Sequence, residues 1–342
     1  MPDPHATTLM AAEIAEIPRV AERLLQDARG LIDTIAKRIE ASAPRVVVMC
    51  GRGSSGHVGV YLRYLFETKL GLLVSAAAPS VVTAYKGRPD MRDVLFIVIS
   101  QSGRSPDLIA ATEAARALGA LTLAIVNDAE SPAAVASELV LPIGAGPERA
   151  VAATKSVVAS MLAGAQLVAA LTEDHALAAC LRKMPDRLAQ SRTCDWSPWG
   201  DSLLHAPAAF VAARGYGFGC VREIALKLTE TLRVPALGFS AAELRHGPRA
   251  ATTPATPVLL LRQNDETAEM LDVLRRDLSE AGETVFAAGG TDGTLPWIGD
   301  DHPICDPVTM LVPAYGAVEA AARRGGLDPD NPPHLSKVTR TL

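Results

Sequence analysis

Arg45-Val-Val-Val-Met-Cys-Gly-Arg-Gly-Ser-Ser-Gly56 is the stretch whose reading decides the fold. A short apolar run ends in a loop of three glycines and two serines, and a helical pattern then runs to about Leu70. A strand that is apolar throughout, rather than on alternate residues, is buried on both faces, as in parallel sheets. Working outward, further apolar runs fall at Gly71–Ala76, Val94–Ser100, Leu121–Val126 and Leu139–Ile143, with helical segments between several of them, notably Pro106–Leu118. Strands alternating with helices predict an α/β architecture in which a parallel β-sheet is flanked by helices on both faces, a three-layer sandwich.

Upstream, apolar residues recur at helical spacing from Leu9 to Ile39, and Pro18 interrupts them, predicting two helices or one broken helix. Downstream, a helix is expected over Ala152–Leu171, followed by an irregular stretch, Pro185 to Asp201. The plan then restarts. Ala208–Ala213 reads as a strand, and Arg214-Gly-Tyr-Gly-Phe-Gly219 opens a helix to about Leu232. Strands at Pro257–Leu261 and Thr284–Ala287 enclose a helix from Glu266 to about Ala281, and a last helix covers roughly Val312–Arg323. Strand, Arg-Gly, helix thus occurs at Arg52 and again at Arg214, so the two lobes read as copies of one design. The expected division is a helical segment 1–42, a first domain 43–184, a connection 185–201, a second domain 202–326 and a tail 327–342.

The 342 residues exceed what one hydrophobic core usually serves, and 49% of them are apolar, enough for two buried sheets. A net charge of −5 with no basic run argues against nucleic acid. No apolar run approaches a membrane span, and Met1–Thr8 lacks the layout of a signal peptide, so the cytoplasm is the expected location. The five scattered cysteines show no metal-ligand spacing; Cys50 and Cys220 lie in apolar stretches and read as small buried hydrophobes.

Two loops in the first lobe carry small hydroxyls among glycines: Gly53-Ser54-Ser55-Gly56, and Ser100-Gln101-Ser102-Gly103-Arg104-Ser105. In an open parallel sheet, ligands sit at the carboxyl ends of strands, where backbone N–H groups and helix dipoles favour a phosphate. One such loop alone is more often an ordinary strand-to-helix turn, here with Ser105 as cap before Pro106. Two in neighbouring units shift the balance towards an anion site. The order of a Walker A loop is missing. Gly51, Gly53 and Gly56 fit the dinucleotide spacing formally, but the acidic residue expected after the next strand is absent, which leaves nicotinamide binding as a weak alternative. In the second lobe, Glu223, Lys227 and Glu230 are spaced i, i+4, i+7 on one helical face; such a face is often only solvated charge. His246 follows shortly, held before Gly247-Pro248. Aldose–ketose interconversion needs a group to open the pyranose ring, a carboxylate to carry a proton from C2 to C1, and can use a lysine imine to acidify the C–H.

At these residues the chain resembles the isomerase half of glutamine:fructose-6-phosphate amidotransferase (glucosamine-6-phosphate synthase). The resemblance runs through Met10–Pro18, Ser54-Ser55, Ser100–Gly103, Val151-Ala-Ala-Thr-Lys155, Ala225–Leu228, Glu243–Pro248 and the tail Asn331–Lys337, nearly the whole chain in order. It implies two tandem sugar-isomerase (SIS) domains in a homodimer with shared active sites. It implies that Ser55, Ser100, Gln101, Ser102 and Ser105 bind the phosphate beside Gly53 and Ser54. Glu230 would shuttle the proton, with Glu223 and Lys227 as companions. His246, from the neighbouring subunit, would open the ring, and Lys337 would form a Schiff base with the ketose. The Val151-Ala152 backbone would line the sugar hydroxyls; Ala153 stands where the family has Ser.

The amidotransferase carries a glutaminase domain before this region, whereas the chain starts at the isomerase region, so the resemblance implies the reverse reaction: a SIS-type glucosamine-6-phosphate deaminase. Deglycases and galactosamine-6-phosphate deaminase/isomerases resemble the same scaffold, and a non-catalytic sugar-phosphate sensor is the reading from another class. The expected ligand is a hexose 6-phosphate or amino-hexose 6-phosphate, and no metal or organic cofactor is implied.

Overall fold

The computed structural model describes residues 7–337. Two compact units divide the chain: one holds Arg19–Glu148, Lys155–Arg182 and the chain from Ser336; the other holds the chain up to Pro18, Arg149–Thr154 and Lys183–Leu335.

The elements of the first unit begin within α1 (Leu9–Asp27) and continue with α2 (Arg29–Ser42), β1 (Val46–Cys50), α3 (Gly53–Leu70), β2 (Leu73–Ala76) and α4 (Pro79–Thr83). After them come β3 (Val94–Ser100), α5 (Pro106–Ala117), β4 (Leu121–Val126), α6 (Pro132–Ala136), β5 (Leu139–Pro142) and α7 (Lys155–Leu171). Its sheet has the order β2-β1-β3-β4-β5, parallel throughout. All seven residues of β3 are buried. Val94, Phe96 and Val98 pack with Cys50, Leu108, Ala111 and Ala124 in one cluster. Because side chains alternate along a strand, Leu95, Ile97 and Ile99 are buried on the opposite face. From β1 the chain crosses to β2 on one side, and from β3 to β4 on the other. The loops after β1 and β3 therefore flank the point where the strand order reverses.

The second unit takes in the end of α8 (His175–Ser191), α9 (Ser197–Ser202), β6 (Ala209–Ala213), α10 (Phe218–Lys227), β7 (Ala236–Ser240), α11 (Ala241–His246), β8 (Val258–Leu261), α12 (Ala268–Glu280), β9 (Val285–Ala288) and α13 (Asp306–Arg324). Its parallel sheet, β7-β6-β8-β9, has the same plan, with the reversal between β6 and β8. Its core gathers Phe210, Ala212, Leu244, Val258, Leu260 and Leu271. The sequence repeat is a conformational repeat. Arg52 (φ −125°, ψ 154°) and Arg214 (φ −138°, ψ 152°) are both extended, and each precedes a left-handed glycine, Gly53 at φ 50° and Gly215 at φ 64°. A side chain at the glycine would strain that turn from strand into helix.

Three local expectations change. Pro18 lies inside a continuous α1, between the buried Ile17 and Val20, and the helices part at Ala28 instead. Residues 185–201, read as a connection, are largely helical: α8 runs through Pro185 to Ser191, and Trp196 and Trp199 are buried edge to face, with ring centroids 5.9 Å apart. β7, with Gly238 inside it and only partly buried, was not anticipated. Pro18 and Pro185 survive because a proline costs a helix one hydrogen bond and some distortion, which tertiary packing can outweigh.

Gly103 (φ 63°) offers a test of the second serine loop, since a Cβ there would lie 2.1 Å from Ser131 Oγ. Gly103→Ala is expected to lower unfolding free energy by at least about 1–3 kcal/mol. Gly30→Ala, in the exposed part of α2 with open space around it, should be neutral or add about 0.5–1 kcal/mol. Urea midpoints compare the two; an equal effect would remove the backbone constraint from the loop.

Candidate functional site

In the first unit, the loops after β1 and β3 open side by side at the carboxyl edge of adjacent strands. Gly53, Ser54 and Ser55 form the first turn of α3, and both serines are half-buried. In the other loop, Ser100 Oγ accepts the Gly103 N–H at 3.0 Å and Ser102 Oγ accepts the Arg104 N–H at 3.3 Å, fixing the turn. Gln101 and Ser102 are half-buried in that turn. Ser105 occupies the N-cap of α5 in extended conformation, yet its hydroxyl makes no capping bond to the helix. Pro106 has no N–H and the Asp107 carboxylate accepts the Leu108 N–H at 2.9 Å, so this helix start offers an anion the Asp107 N–H and the Ser105 hydroxyl.

A tie between the loops was missed in the sequence. Arg52 Nε donates to Asp107 Oδ2 at 2.5 Å, and its guanidinium also pairs with the same buried carboxylate. Nothing in the spacing, 55 residues, announced it. Burial, reinforced by Asp107, pushes the Cys50 thiol up to about 12, so Cys50 is a packing residue and no nucleophile. Cys220 is likewise buried and its thiol is pushed up by burial.

At the matching place in the second unit the crevice is built differently. Gln263 Nε2 donates to the Arg214 carbonyl at 2.6 Å and to Asp265 at 2.9 Å, and Asp265 Oδ1 accepts the Thr267 hydroxyl at 2.6 Å. A carboxylate stands where the first unit has serines. That repels an anion.

Glu223, Lys227 and Glu230 of the second unit come together. Glu223 and Lys227 are fully buried on α10, with Lys227 Nζ 3.3 Å from Glu223 and 2.5 Å from Glu230 Oε2. Tyr315 of α13 donates its hydroxyl to Glu223 Oε1 at 3.4 Å. Glu230 does not continue the α-helix; it sits in a π-helical turn, Leu228–Leu232, closed by left-handed Arg233. Such turns are rare and are frequently found at functional sites. Its side chain is 20% exposed, in contrast to its two companions. Burial presses the Lys227 ammonium towards neutrality, but the two carboxylates outweigh it and hold it charged, its pKa raised. His246 is the last residue of α11 and is exposed.

Val151 and Ala152 belong to the second unit. The Val151 N–H is taken by the Asp330 carbonyl at 3.1 Å, which leaves its carbonyl, not its amide, for a ligand. Lys337 belongs to the first unit, where Nζ lies 3.1 Å from Glu148 Oε2. Glu148 was missed in the sequence; it is 189 residues from its partner, and no local pattern flags it. Among the described residues there is no group of three or more His, Cys, Asp and Glu side chains that could hold a metal ion, and no helix long and apolar enough to cross a membrane.

The SIS domain family matches residues 41–170 and 202–289. The chain belongs to that family. The SIS chain is 29% identical over 356 residues to the isomerizing glutamine–fructose-6-phosphate aminotransferase of Symbiobacterium thermophilum; the match covers 96% of this chain but 58% of that protein, so the chain spans little more than half its relative's length. A crystal structure from Silicibacter pomeroyi DSS-3, provisionally described as a phosphosugar isomerase, superimposes with a TM-score of 0.90 at 37% identity, covering 95% of this chain and 100% of that one. The glucosamine-6-phosphate deaminase of Thermotoga maritima shares the SIS fold at a TM-score of 0.77 and 23% identity, covering 98% and 100%.

Lys227→Met would leave two carboxylates with a missing cation, one of them fully buried, and is expected to cost about 3–5 kcal/mol of stability. Glu230→Gln, at the partly exposed corner, should cost about 1 kcal/mol. Chemical denaturation distinguishes them; equal losses would mean that Lys227 does not anchor the cluster.

Proposed function

We propose that the chain is a phosphosugar enzyme that converts glucosamine 6-phosphate and water to fructose 6-phosphate and ammonia. The observation that carries the reading is Glu230, a partly exposed carboxylate set on a π-helical turn and held 2.5 Å from a buried ammonium. Moving a proton from C2 to C1 needs one carboxylate fixed relative to both carbons, and a base anchored by a buried partner meets that need. Membership of the SIS family supports it, as does likeness to an aminotransferase whose name carries isomerisation and fructose 6-phosphate.

In this reading Gly53, Ser54, Ser55, Ser100, Gln101, Ser102 and Ser105 receive the phosphate, and Val151-Ala152 lines the sugar. His246, exposed at its helix end, reaches the site of a second copy and opens the pyranose ring, so a homodimer is part of the proposal. Glu230 takes the C2 proton of the open-chain aldehyde and returns it to C1, leaving a C2 iminium. The Lys337 amine adds to C2, ammonia departs, and water hydrolyses the lysine imine to fructose 6-phosphate.

Purified protein supplied with glucosamine 6-phosphate is expected to release ammonia and fructose 6-phosphate in equal amounts. Glu230→Gln and Lys337→Ala should each lower kcat by about 10²–10⁴-fold. Tight sugar-phosphate binding without turnover of any amino-hexose 6-phosphate would replace the enzyme reading with a sensor.

A further inference from the structure

Glu148 lies beside the proposed imine lysine, yet the steps assigned so far make no use of it. Its side chain is fully buried. One oxygen accepts the Ser156 N–H at 3.1 Å, the other accepts the Ser156 hydroxyl at 2.6 Å and faces Lys337 Nζ at 3.1 Å. Ser156 is the second residue of α7, so the carboxylate sits at a helix N-terminus, where negative charge is favoured. Two bonds from one serine fix its rotamer, and the lysine is held against a defined oxygen. The partner across the pair is a side chain 23% exposed, able to leave the contact.

We infer that Glu148 is the positioning residue of Lys337, storing it as an ammonium ion and taking its proton when the imine forms. The inference rests on the deaminase reading. A lysine must lose a proton before its lone pair can attack carbon. The balance is as follows: the Lys337 ammonium gives one proton to Glu148, the freed pair forms the bond to the C2 iminium carbon, and the bond from C2 to the substrate nitrogen breaks. One of the two protons left on the lysine nitrogen passes to the departing nitrogen, the Glu148 proton joins it so that it leaves as ammonium, and hydrolysis of the protonated lysine imine gives fructose 6-phosphate and returns Lys337 as ammonium. No oxidant or further reactant is needed.

The test uses the whole chain with fructose 6-phosphate and borohydride, which reduces a lysine ketimine to a stable adduct located by peptide mass. Wild type is expected to carry the adduct on Lys337. In Glu148→Gln, trapping and kcat should fall at least about 10-fold while KM stays within about threefold. Glu148→Ala should be partly restored by formate and not by chloride, a response that a purely structural role would not produce. If either variant fails to fold, Ser156→Ala loosens the same carboxylate and should slow trapping. Trapping at the wild-type rate in these variants, or a raised KM with unchanged kcat, would overturn the role of Glu148 alone. No adduct on wild-type Lys337 would instead sink the deaminase reading and this inference together.

Discussion

A parallel ladder cannot be closed by a tight turn, and that constraint governs both units. Every strand must be followed by a crossover, usually a helix, so all strand-to-helix loops collect at one edge of the sheet. Where successive crossovers leave in opposite directions, between β1 and β3 and between β6 and β8, the loops splay and a crevice opens. The extended arginine and left-handed glycine at Arg52-Gly53 and Arg214-Gly215 turn the chain from strand to helix in the same way twice. What differs is side-chain chemistry. The loops of the first crevice carry serines and the Arg52–Asp107 pair, and those of the second carry Gln263 and Asp265. One backbone plan thus carries two different sets of side chains.

The second unit spends its unusual features elsewhere. Two fully buried charges on α10 would be prohibitive alone, since a single uncompensated ion in the interior costs several kcal/mol. They persist because Lys227 is shared by two carboxylates and Tyr315 adds a hydroxyl to Glu223. The π-helical turn shifts Glu230 out of α-helical register and leaves it partly exposed, while its oxygen stays on the lysine. A buried ion pair is weak evidence for stability, but this one also fixes the position of a third, partly exposed carboxylate.

Much of this was legible in the sequence, and the reasons are local. β3 and β4 are buried throughout and apolar but for Ser100 and Thr122, so a parallel sheet was the expectation from composition. Glu223, Lys227 and Glu230 fall on one face by spacing, although an ideal helix would not have revealed the π turn. Pro18 and Pro185 misled because a propensity was read without the packing that overrides it. β7 escaped because Pro235 precedes it and Gly238 interrupts it, both poor signals for a strand. Arg52–Asp107 and Glu148–Lys337 were out of reach for a different reason: each depends on chain segments brought together only by the fold.

The C-terminal segment shows why such distant contacts matter. Asp328 accepts the N–H groups of Asp330 and Asn331, and the Asp330 carboxylate in turn accepts those of Leu9 and Met10 at the start of α1. The Asp330 carbonyl takes the Val151 N–H, so one residue joins the tail, the first helix and the 149–154 segment within the second unit. Three residues before Val151, Glu148 holds Lys337 within the first unit. Asp330 is thus held by backbone caps, and Lys337 by a charge pair with Glu148. Caps are satisfied continuously in a folded chain, whereas a charge pair at a partly exposed lysine can be exchanged for another partner.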